Sequence, residues 1–232
     1  MNTSTVGEQF KSNSLAAQTL RRRFDAHGVT VVNMVGPAGS GKTSVIEAVL
    51  LRLDPNMRAA VVMANLGADR QITRIAQHGI PAVSIKTDNL TAELVSESLA
   101  QLDLSALDLL LIESHGNNTS PVEFDLGHHL RIGVFSAAGG HDKPVEYPFM
   151  VCESDLLVLT KCDLLPLVAF DFEIFNDDVA HLKPGLEVIC TSIRRNEGID
   201  TLLKWLEFHA PLKKRGLSGS PLFQPFTKWF QE

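Results

Sequence analysis

The chain has 232 residues, of which 44% are hydrophobic and 21% are charged, and its formal net charge at pH 7 is −6. Such a composition is typical of a globular protein, and a chain of this length can form one domain with a full hydrophobic core. The acidic balance argues against a nucleic-acid-binding surface, because neutralising phosphates would need a clustered excess of Lys and Arg.

Targeting and cysteine patterns place further limits on the function. No segment approaches the roughly 20 consecutive apolar residues of a membrane-spanning helix, and residues 1–14 lack the basic-then-apolar order of a secretory signal. We therefore expect a cytoplasmic protein with no membrane partner. Cys152, Cys162 and Cys190 are odd in number and widely spaced, which predicts buried reduced thiols rather than disulfides or a CxxC metal motif.

The hydrophobic pattern predicts helices and strands in alternation. Residues 1–14 are polar and rich in Ser and Thr, which predicts a mobile tail, and 15–28 have a helical spacing of apolar residues. Strands are predicted at 29–35, 58–64, 82–85, 107–113, 131–137, 155–160 and 186–191. Helices are predicted between them at 42–53, 72–79, 90–102 and 198–209.

Short runs of Val, Ile and Leu separated by amphipathic helices indicate a mostly parallel sheet with helices on both faces. The predicted fold class is α/β, a three-layer sandwich, with one domain at 15–210 and a C-terminal extension at 211–232. The extension carries an apolar patch that packs either on its own domain, which we favour, or on a partner. The patch consists of Leu222, Phe223, Phe226, Trp229 and Phe230.

A phosphate-binding loop connects the first predicted strand to the next helix. GPAGSGKT at 36–43 matches the G-x-x-x-x-G-K-[ST] pattern and has the strand and helix context that this motif requires. Lys42 is expected to reach the β- and γ-phosphates of a nucleotide, and Thr43 to bind Mg²⁺. The predicted fold is therefore that of a P-loop NTPase. The predicted contacts are Gly36, Pro37, Ala38, Gly39, Ser40, Gly41, Lys42, Thr43 and Ser44.

A second motif predicts the base. TKCD at 160–163 follows a predicted strand, at the position of the N/TKxD guanine-recognition element of P-loop GTPases. Asp163 can accept hydrogen bonds from the N1–H and the 2-amino group of guanine, a pair that adenine lacks. Thr160, Lys161, Ser192 and Ile193 complete the predicted base site. Taken alone, a TKxD tetrapeptide also occurs by chance and can simply cap a helix.

Four longer segments resemble the nickel-insertion GTPases of hydrogenase maturation, the HypB family, and their urease-accessory relatives. They are LIESHGNNTSPVEFDLG (111–127), AAGGHDKPVEYP (137–148), LLVLTKCDLLP (156–166) and NEGIDTLLKWL (196–206). The resemblance implies a slow GTPase that dimerises with GTP bound and whose hydrolysis gates the delivery of nickel into an apoenzyme. Its partner would be the client metalloenzyme or another maturation factor.

The resemblance also implies roles for single residues. Glu113 would hold Mg²⁺ or its waters, Gly116 would be the switch amide that senses the γ-phosphate, and both would act with Lys42 in catalysis. Without the resemblance, ESHGNN is equally well interpreted as a polar turn.

Departures from the family pattern concern the metal ions. Asn65 stands where the family has an aspartate that acts on magnesium, so magnesium binding or hydrolysis is expected to be weaker unless Asp69 replaces it. The family's Cys-His pair is missing from SIKTDNLTAELV, and Ser120 stands in place of a cysteine. These changes remove thiolate and imidazole ligands for nickel or zinc.

Histidines near the predicted switch and dimer surface are the candidate replacements, namely His115, His128, His129 and His141. Adjacent histidines point in different directions, so His128 and His129 form a poor chelate. His115 is the preferred single ligand for nickel or zinc, although a lone histidine is ordinarily just a polar residue.

Two functions remain as alternatives. The first is a GTP-hydrolysing accessory protein that assists metallocentre assembly of the hydrogenase type. The second is a GTP-dependent regulatory or scaffold module with little hydrolysis and no metal cargo, in which Asn65 has abolished turnover. A small-molecule kinase is disfavoured, because the sequence lacks an evident Arg-rich lid and TKCD would have no explanation.

Overall fold

The computed structural model describes residues 3–64, 69–87, 89–115 and 125–214. Its helices are α1 (Thr3–His27), α2 (Lys42–Leu50), α3 (Asp69–Ala76), α4 (Ala92–Ser98), α5 (Lys143–Glu146), α6 (Pro148–Glu153), α7 (Phe172–Leu182) and α8 (Ile199–Lys214). Its strands are β1 (Thr30–Gly36), β2 (Ala59–Ala64), β3 (Ala82–Ile85), β4 (Leu109–His115), β5 (Leu130–Ser136), β6 (Leu156–Thr160) and β7 (Val188–Cys190). Short 3-10 helices lie at Leu99–Gln101, Leu104–Ala106, Ala137–Gly139 and Cys162–Leu167.

The seven described strands form one sheet in the order β3-β2-β4-β1-β5-β6-β7, and every pair is parallel. The predicted α/β fold with a mostly parallel sheet is therefore confirmed. The carboxyl ends of parallel strands meet at one edge, which is where ligands bind in folds of this type. In the centre of this edge, Gly36 of β1 lies opposite His115 of β4.

Helices cover both faces of the sheet and make three layers. On one face, α2, α3 and α8 pack on the sheet through a core that includes Val45, Ile75 and Trp205. The other face is covered by α1 and α4 at one side and by α6 and α7 at the other. Within the described part of the chain, no helix has the length and apolar character needed to cross a membrane.

The first helix is longer than the sequence predicts. It begins at Thr3, so the predicted start at residue 15 is wrong. Asn13 is buried; its Oδ1 accepts from the Ala92 amide at 2.8 Å, and its Nδ2 donates to the Asp125 carbonyl at 2.9 Å. These contacts join α1 to α4 and to the segment before β5. The division into 1–14, 15–210 and 211–232 stays a prediction, and the aromatic patch lies outside the described residues.

The sequence pattern did not predict three of the described helices, and its prediction for one cysteine is wrong. The pattern missed α5 and α6, which are only 4 and 6 residues long, and α7, which is capped by Asp171. The Asp171 carboxylate accepts hydrogen bonds from the amides of Glu173 and Ile174, a standard N-cap contact. The thiols of Cys162 and Cys190 are buried as predicted, whereas the prediction of a buried Cys152 is wrong because this residue is exposed.

Candidate nucleotide site

The phosphate loop follows β1 at the carboxyl edge of the sheet and leads into α2. Gly41 has φ +95°, the left-handed region that favours glycine, and a Cβ there would lie 3.1 Å from Thr160 Oγ1. A Cβ at Gly36 would lie only 2.3 Å from the Val134 carbonyl oxygen. Ser40 Oγ is buried without a hydrogen-bond partner among the described residues. This tight cradle of backbone amides fits phosphate oxygens.

The remaining predicted phosphate contacts lie in the same loop and in the first turn of α2, which begins at Lys42. Pro37 is half-buried and Ala38 and Gly39 are exposed, whereas Thr43 and Ser44 are half-buried in the first turn. The structure therefore places all nine predicted residues around one end of α2.

The Lys42 side chain is buried and lies across the loop. Its Nζ donates to the carbonyl oxygens of Gly36 at 2.7 Å and Pro37 at 3.0 Å. Burial lowers the pKa of Lys42, and the negative charge of Glu113 opposes this effect. A lysine that is buried but held by acceptors at the loop is placed for contact with phosphate groups.

Glu113 faces the same loop from β4. Thr43 Oγ1 donates to the carboxylate, at 2.8 Å from Oε1 and 2.9 Å from Oε2. Burial raises the pKa of Glu113, whereas the charge of Lys42 and the hydrogen bond from Thr43 lower it. A hydroxyl and a carboxylate in contact form an oxygen donor set of the kind that Mg²⁺ prefers.

The predicted base site forms at the neighbouring ends of β6 and β7. Ser192 is buried, and its Oγ donates to Asp163 Oδ1 at 2.7 Å while it accepts from the Arg195 amide at 3.1 Å. Ile193 follows at the surface with 43% exposure. The second oxygen of Asp163 is not used in this contact, so the carboxylate retains acceptor capacity for a ligand.

Two hydrogen bonds tie the base site to the phosphate loop. Thr160 Oγ1 donates to the Ser40 carbonyl at 2.5 Å, and Lys161 Nζ donates to the Gly39 carbonyl at 2.9 Å. Lys161 itself has φ 56°, in the left-handed region. Sequence reasoning placed both residues at the base and missed the contacts with the loop, for which the TKxD spacing contains no signal.

His115 lies at the end of β4, near Glu113. Its Nδ1 is 3.1 Å from the Ala64 carbonyl oxygen. A carbonyl can only accept, so Nδ1 is the donor in this contact, and in the neutral ring Nε2 presents its lone pair. The other predicted switch residues, Asn65, Gly116 and Ser120, lie outside the described residues. Asp69 is the first residue of α3.

The other candidate histidines are engaged elsewhere. His128 and His129 precede β5, at the amino edge of the sheet and away from Glu113. Their predicted position near the switch stays a prediction, because 116–124 lie outside the described residues. His129 Nδ1 accepts from the Val31 amide at 2.9 Å, and His141 Nδ1 accepts from the Asp171 amide at 3.2 Å. In the ranges that the structure describes, no group of three or more His, Cys, Asp or Glu residues could hold a metal ion.

Comparison with known proteins places these features in a family. The family model "CobW/HypB/UreG, nucleotide-binding domain" matches residues 30–190, from the start of β1 to the end of β7. The chain belongs to this family. The nucleotide-binding character and the HypB resemblance predicted from the sequence are thereby confirmed.

Several HypB proteins are similar over most of the chain. The hydrogenase maturation factor HypB of Escherichia coli K12 is 36% identical over 200 residues, which are 85% of this chain and 69% of that protein. The probable hydrogenase maturation factor HypB of Methanocaldococcus jannaschii is 34% identical, with 85% and 90% covered. Among CobW/HypB/UreG structures, HypB from Archaeoglobus fulgidus has a TM-score of 0.80 and 28% identity, with 86% of this chain and 99% of that chain covered. HypB from Helicobacter pylori, crystallised in complex with nickel, shares the fold with a TM-score of 0.80, 24% identity, and 91% and 100% covered.

Proposed function

We propose that this chain binds and hydrolyses GTP as an accessory protein in the metallocentre assembly of a client enzyme, of the hydrogenase nickel-insertion type. The names of its relatives, which are hydrogenase maturation factors, support this setting. A relative crystallised with nickel supports a metal cargo. The single observation that carries the choice of nucleotide is the Asp163–Ser192 pair, with its 2.7 Å hydrogen bond.

Guanine specificity follows from the donor and acceptor pattern at this pair. Ser192 orients one oxygen of the Asp163 carboxylate, so the carboxylate is fixed before a base arrives. Guanine offers two adjacent donors to it, whereas adenine offers an acceptor at N1 and would leave the carboxylate poorly paired. Asp163 is half-buried, so leaving its second oxygen without a donor costs on the order of 1 kcal/mol, which favours guanine.

Hydrolysis would depend on the charged groups at the phosphate loop. Lys42 and the loop amides would bind the β- and γ-phosphates, and Thr43 and Glu113 are the residues that would hold Mg²⁺. Mg²⁺, when bound, supplies positive charge next to the transferred phosphoryl group. The Lys42 ammonium donates to two carbonyl oxygens of the loop, so it is already held next to the phosphate-binding position before the nucleotide binds.

The change from bound GTP to bound GDP would be transmitted from the site through β4. The strand carries Glu113 and His115 and is followed directly by 116–124, which contains Gly116. A segment that starts beside the γ-phosphate position can change conformation when that group leaves. We place the GTP-dependent dimer contact and the contact with the client or a further maturation factor on this segment.

His115 is the proposed ligand for the metal cargo. Metal-ligating histidines commonly donate their second ring nitrogen to a carbonyl, which is the arrangement that Nδ1 has with Ala64. The Nε2 lone pair then suits nickel or zinc, with the remaining ligands supplied by a second copy or by the client.

Nucleotide binding and turnover can be tested on the purified chain. Thermal shifts with GDP, a GTP analogue and ATP should show stabilisation by the guanine nucleotides only, and phosphate release should require Mg²⁺. Equal stabilisation by ATP would overturn the guanine assignment.

The regulatory alternative is favoured by Asn65, which replaces an acidic residue of the family pattern. Turnover of the wild type is compared with that of Asn65→Asp. A wild type that binds GTP without turnover, together with an active Asn65→Asp variant, would establish the regulatory module instead.

The metal part requires a separate titration with nickel and zinc, with and without the GTP analogue. Stoichiometric binding that is lost in His115→Ala and retained in His141→Ala would support the cargo assignment. Binding that is unaffected by His115→Ala would contradict it.

A further inference from the structure

A charged cluster joins α3 to the helix that follows the phosphate loop. Arg74 Nη2 lies 2.7 Å from Glu47 Oε2, and His78 Nε2 lies 3.9 Å from Glu47 Oε1. Arg74 and His78 are four residues apart and so share one side of their segment. The Glu47 side chain is only 19% exposed, so its carboxylate faces two basic groups in a mostly buried position.

The same cluster lies close to the proposed magnesium ligands. Glu47 follows Thr43 by four residues on α2, so the two side chains lie on one face of this helix, one turn apart. Thr43 in turn contacts Glu113 at 2.8 Å. Glu47, with its partner Arg74, is therefore separated from the Glu113 carboxylate by one turn of α2 and the Thr43 contact.

The position of α3 matters for the phosphate end of the site. Met63 of β2 lies opposite Glu113 of β4, and the chain passes from the end of β2 through 65–68 into α3. Ile75, which is fully buried, anchors α3 in the core with Val45 of α2. A contact that fixes α3 on α2 therefore fixes the first described helix after β2, the strand that pairs with β4 next to Glu113.

We propose that Arg74 is a positioning residue of the GTPase site, which locks α3 onto α2 through Glu47 and keeps a positive charge on the Glu113 side of the phosphate loop. Negative charge is redistributed there when the γ-phosphoryl group leaves, and a fixed cation stabilises it without reorganisation. Arg74 is 47% exposed and Glu47 is 19% exposed, so solvent screens this pair less than it would screen two fully exposed side chains. This inference rests on the proposed function and deepens it.

The main test is hydrolysis by Arg74→Ala at saturating GTP. Residues that support a metal site from outside its ligand shell commonly contribute 10- to 100-fold, so we expect kcat to fall by roughly tenfold and more Mg²⁺ to be needed for half-maximal rate. GDP affinity should remain at the wild-type value. Arg74→Lys keeps the charge but not the planar fork, and should restore part of kcat.

A matched control is Arg58→Ala. Arg58 lies just before β2 at the opposite edge of the sheet and pairs with Asp108 at 2.9 Å. The Arg58→Ala variant loses the same type of side chain and a comparable ion pair. Because this pair lies at the edge of the sheet away from the phosphate loop, kcat should stay unchanged. Glu47→Gln should reproduce part of the Arg74→Ala defect, and the double variant should be no worse than Arg74→Ala, because both act through one contact.

The outcomes separate this inference from the proposed function. Unchanged kcat in Arg74→Ala, or an equal loss in Arg58→Ala, would overturn the role of Arg74 while leaving GTP hydrolysis intact. If the wild type binds GTP but does not hydrolyse it, the proposed hydrolysis fails. The role of Arg74 is then tested by measuring the Mg²⁺-dependent affinity for a non-hydrolysable GTP analogue. Arg74→Ala should weaken this affinity, and Arg58→Ala should not. A wild type that binds no nucleotide would overturn both.

Discussion

Thr160 Oγ1 donates a 2.5 Å hydrogen bond to the carbonyl oxygen of Ser40. Thr160 is the last residue of β6 and Ser40 lies in the phosphate loop, so this bond joins the proposed base site to the phosphate site. Both partners are buried, which makes the bond costly to leave unmade. The two halves of the site are therefore held in a fixed relation.

Thr160→Val should weaken the binding of every nucleotide without changing the preference for a base. Valine keeps the branched shape but removes the hydroxyl, so the Ser40 carbonyl loses its donor and the free energy of unfolding should fall by about 1–2 kcal/mol. Denaturant titration and nucleotide binding measure the two effects. Thr160→Ser retains the hydroxyl and should behave like the wild type; an equal loss in this variant would contradict the role of the hydrogen bond.

Asp163→Ala should reduce GTP affinity by about 3 kcal/mol, which is roughly a hundredfold, because two hydrogen bonds to a charged acceptor disappear. Asp163→Asn offers a sharper test. Its amide can donate to the 2-carbonyl of xanthine, so this variant should prefer xanthosine triphosphate over GTP. Competition binding with the two nucleotides measures the preference. Unchanged GTP preference in Asp163→Asn would contradict recognition of the base by this side chain.

Local motifs account for the parts of the site that the sequence predicts well. The phosphate loop and TKxD depend on spacing within a few residues, so Lys42, Thr43 and Asp163 were placed correctly relative to their strands and helices. The Thr160–Ser40 contact spans 120 residues and arises only when β6 and the phosphate loop meet. Arg74 and Glu47 meet for the same reason, because α3 and α2 lie on the same face of the sheet.

The start of α1 shows why the fold prediction failed in one place. Residues around Asn13 are polar, with weak helix preference, and they lack an apolar stripe. Their helical conformation is stabilised by distant partners, Ala92 and Asp125, which lie 79 and 112 residues away along the chain. Contacts of that range have no counterpart in local periodicity, and composition alone favoured a tail.

Glu113→Gln should stabilise the nucleotide-free protein while removing most hydrolysis. Burial raises the pKa of Glu113 even though the charge of Lys42 lowers it. The folded state therefore favours the protonated carboxyl group, and the stability that this protonation contributes is lost as pH rises through the folded-state pKa. At neutral pH a neutral side chain should therefore give a higher Tm. The loss of the carboxylate should lower kcat on the order of a hundredfold.

Melting curves without divalent ions, together with phosphate release at saturating Mg²⁺, measure both effects of Glu113→Gln. Glu97→Gln, at an exposed position of α4, is the control and should change neither. A lower Tm in Glu113→Gln would contradict the unfavourable burial of this charge.

His128 lies in a charged cluster where α1 meets the segment before β5. Arg131 Nε donates to His128 Nε2 at 3.3 Å, and Arg21 Nη2 lies 2.8 Å from Asp125 Oδ1. The His128 side chain is only 12% exposed. Burial, with the charges of Arg131, Arg21 and His129 adding to it and that of Asp125 opposing it, lowers the pKa of His128 to about 3.

Protonation of His128 should therefore destabilise the fold as the solution is acidified. With a folded-state pKa of about 3 against 6.5 for the free side chain, its contribution is present above pH 6.5 and is lost as pH falls toward 3. Between pH 7 and pH 5 this amounts to roughly 2 kcal/mol of unfolding free energy. Asp125 acts at lower pH, below about 4, so the two are separable. Between pH 7 and pH 5, the fall in unfolding free energy measured by urea titration should be about 2 kcal/mol smaller in His128→Gln than in the wild type. An equal fall in both proteins would contradict the neutral, buried state of His128.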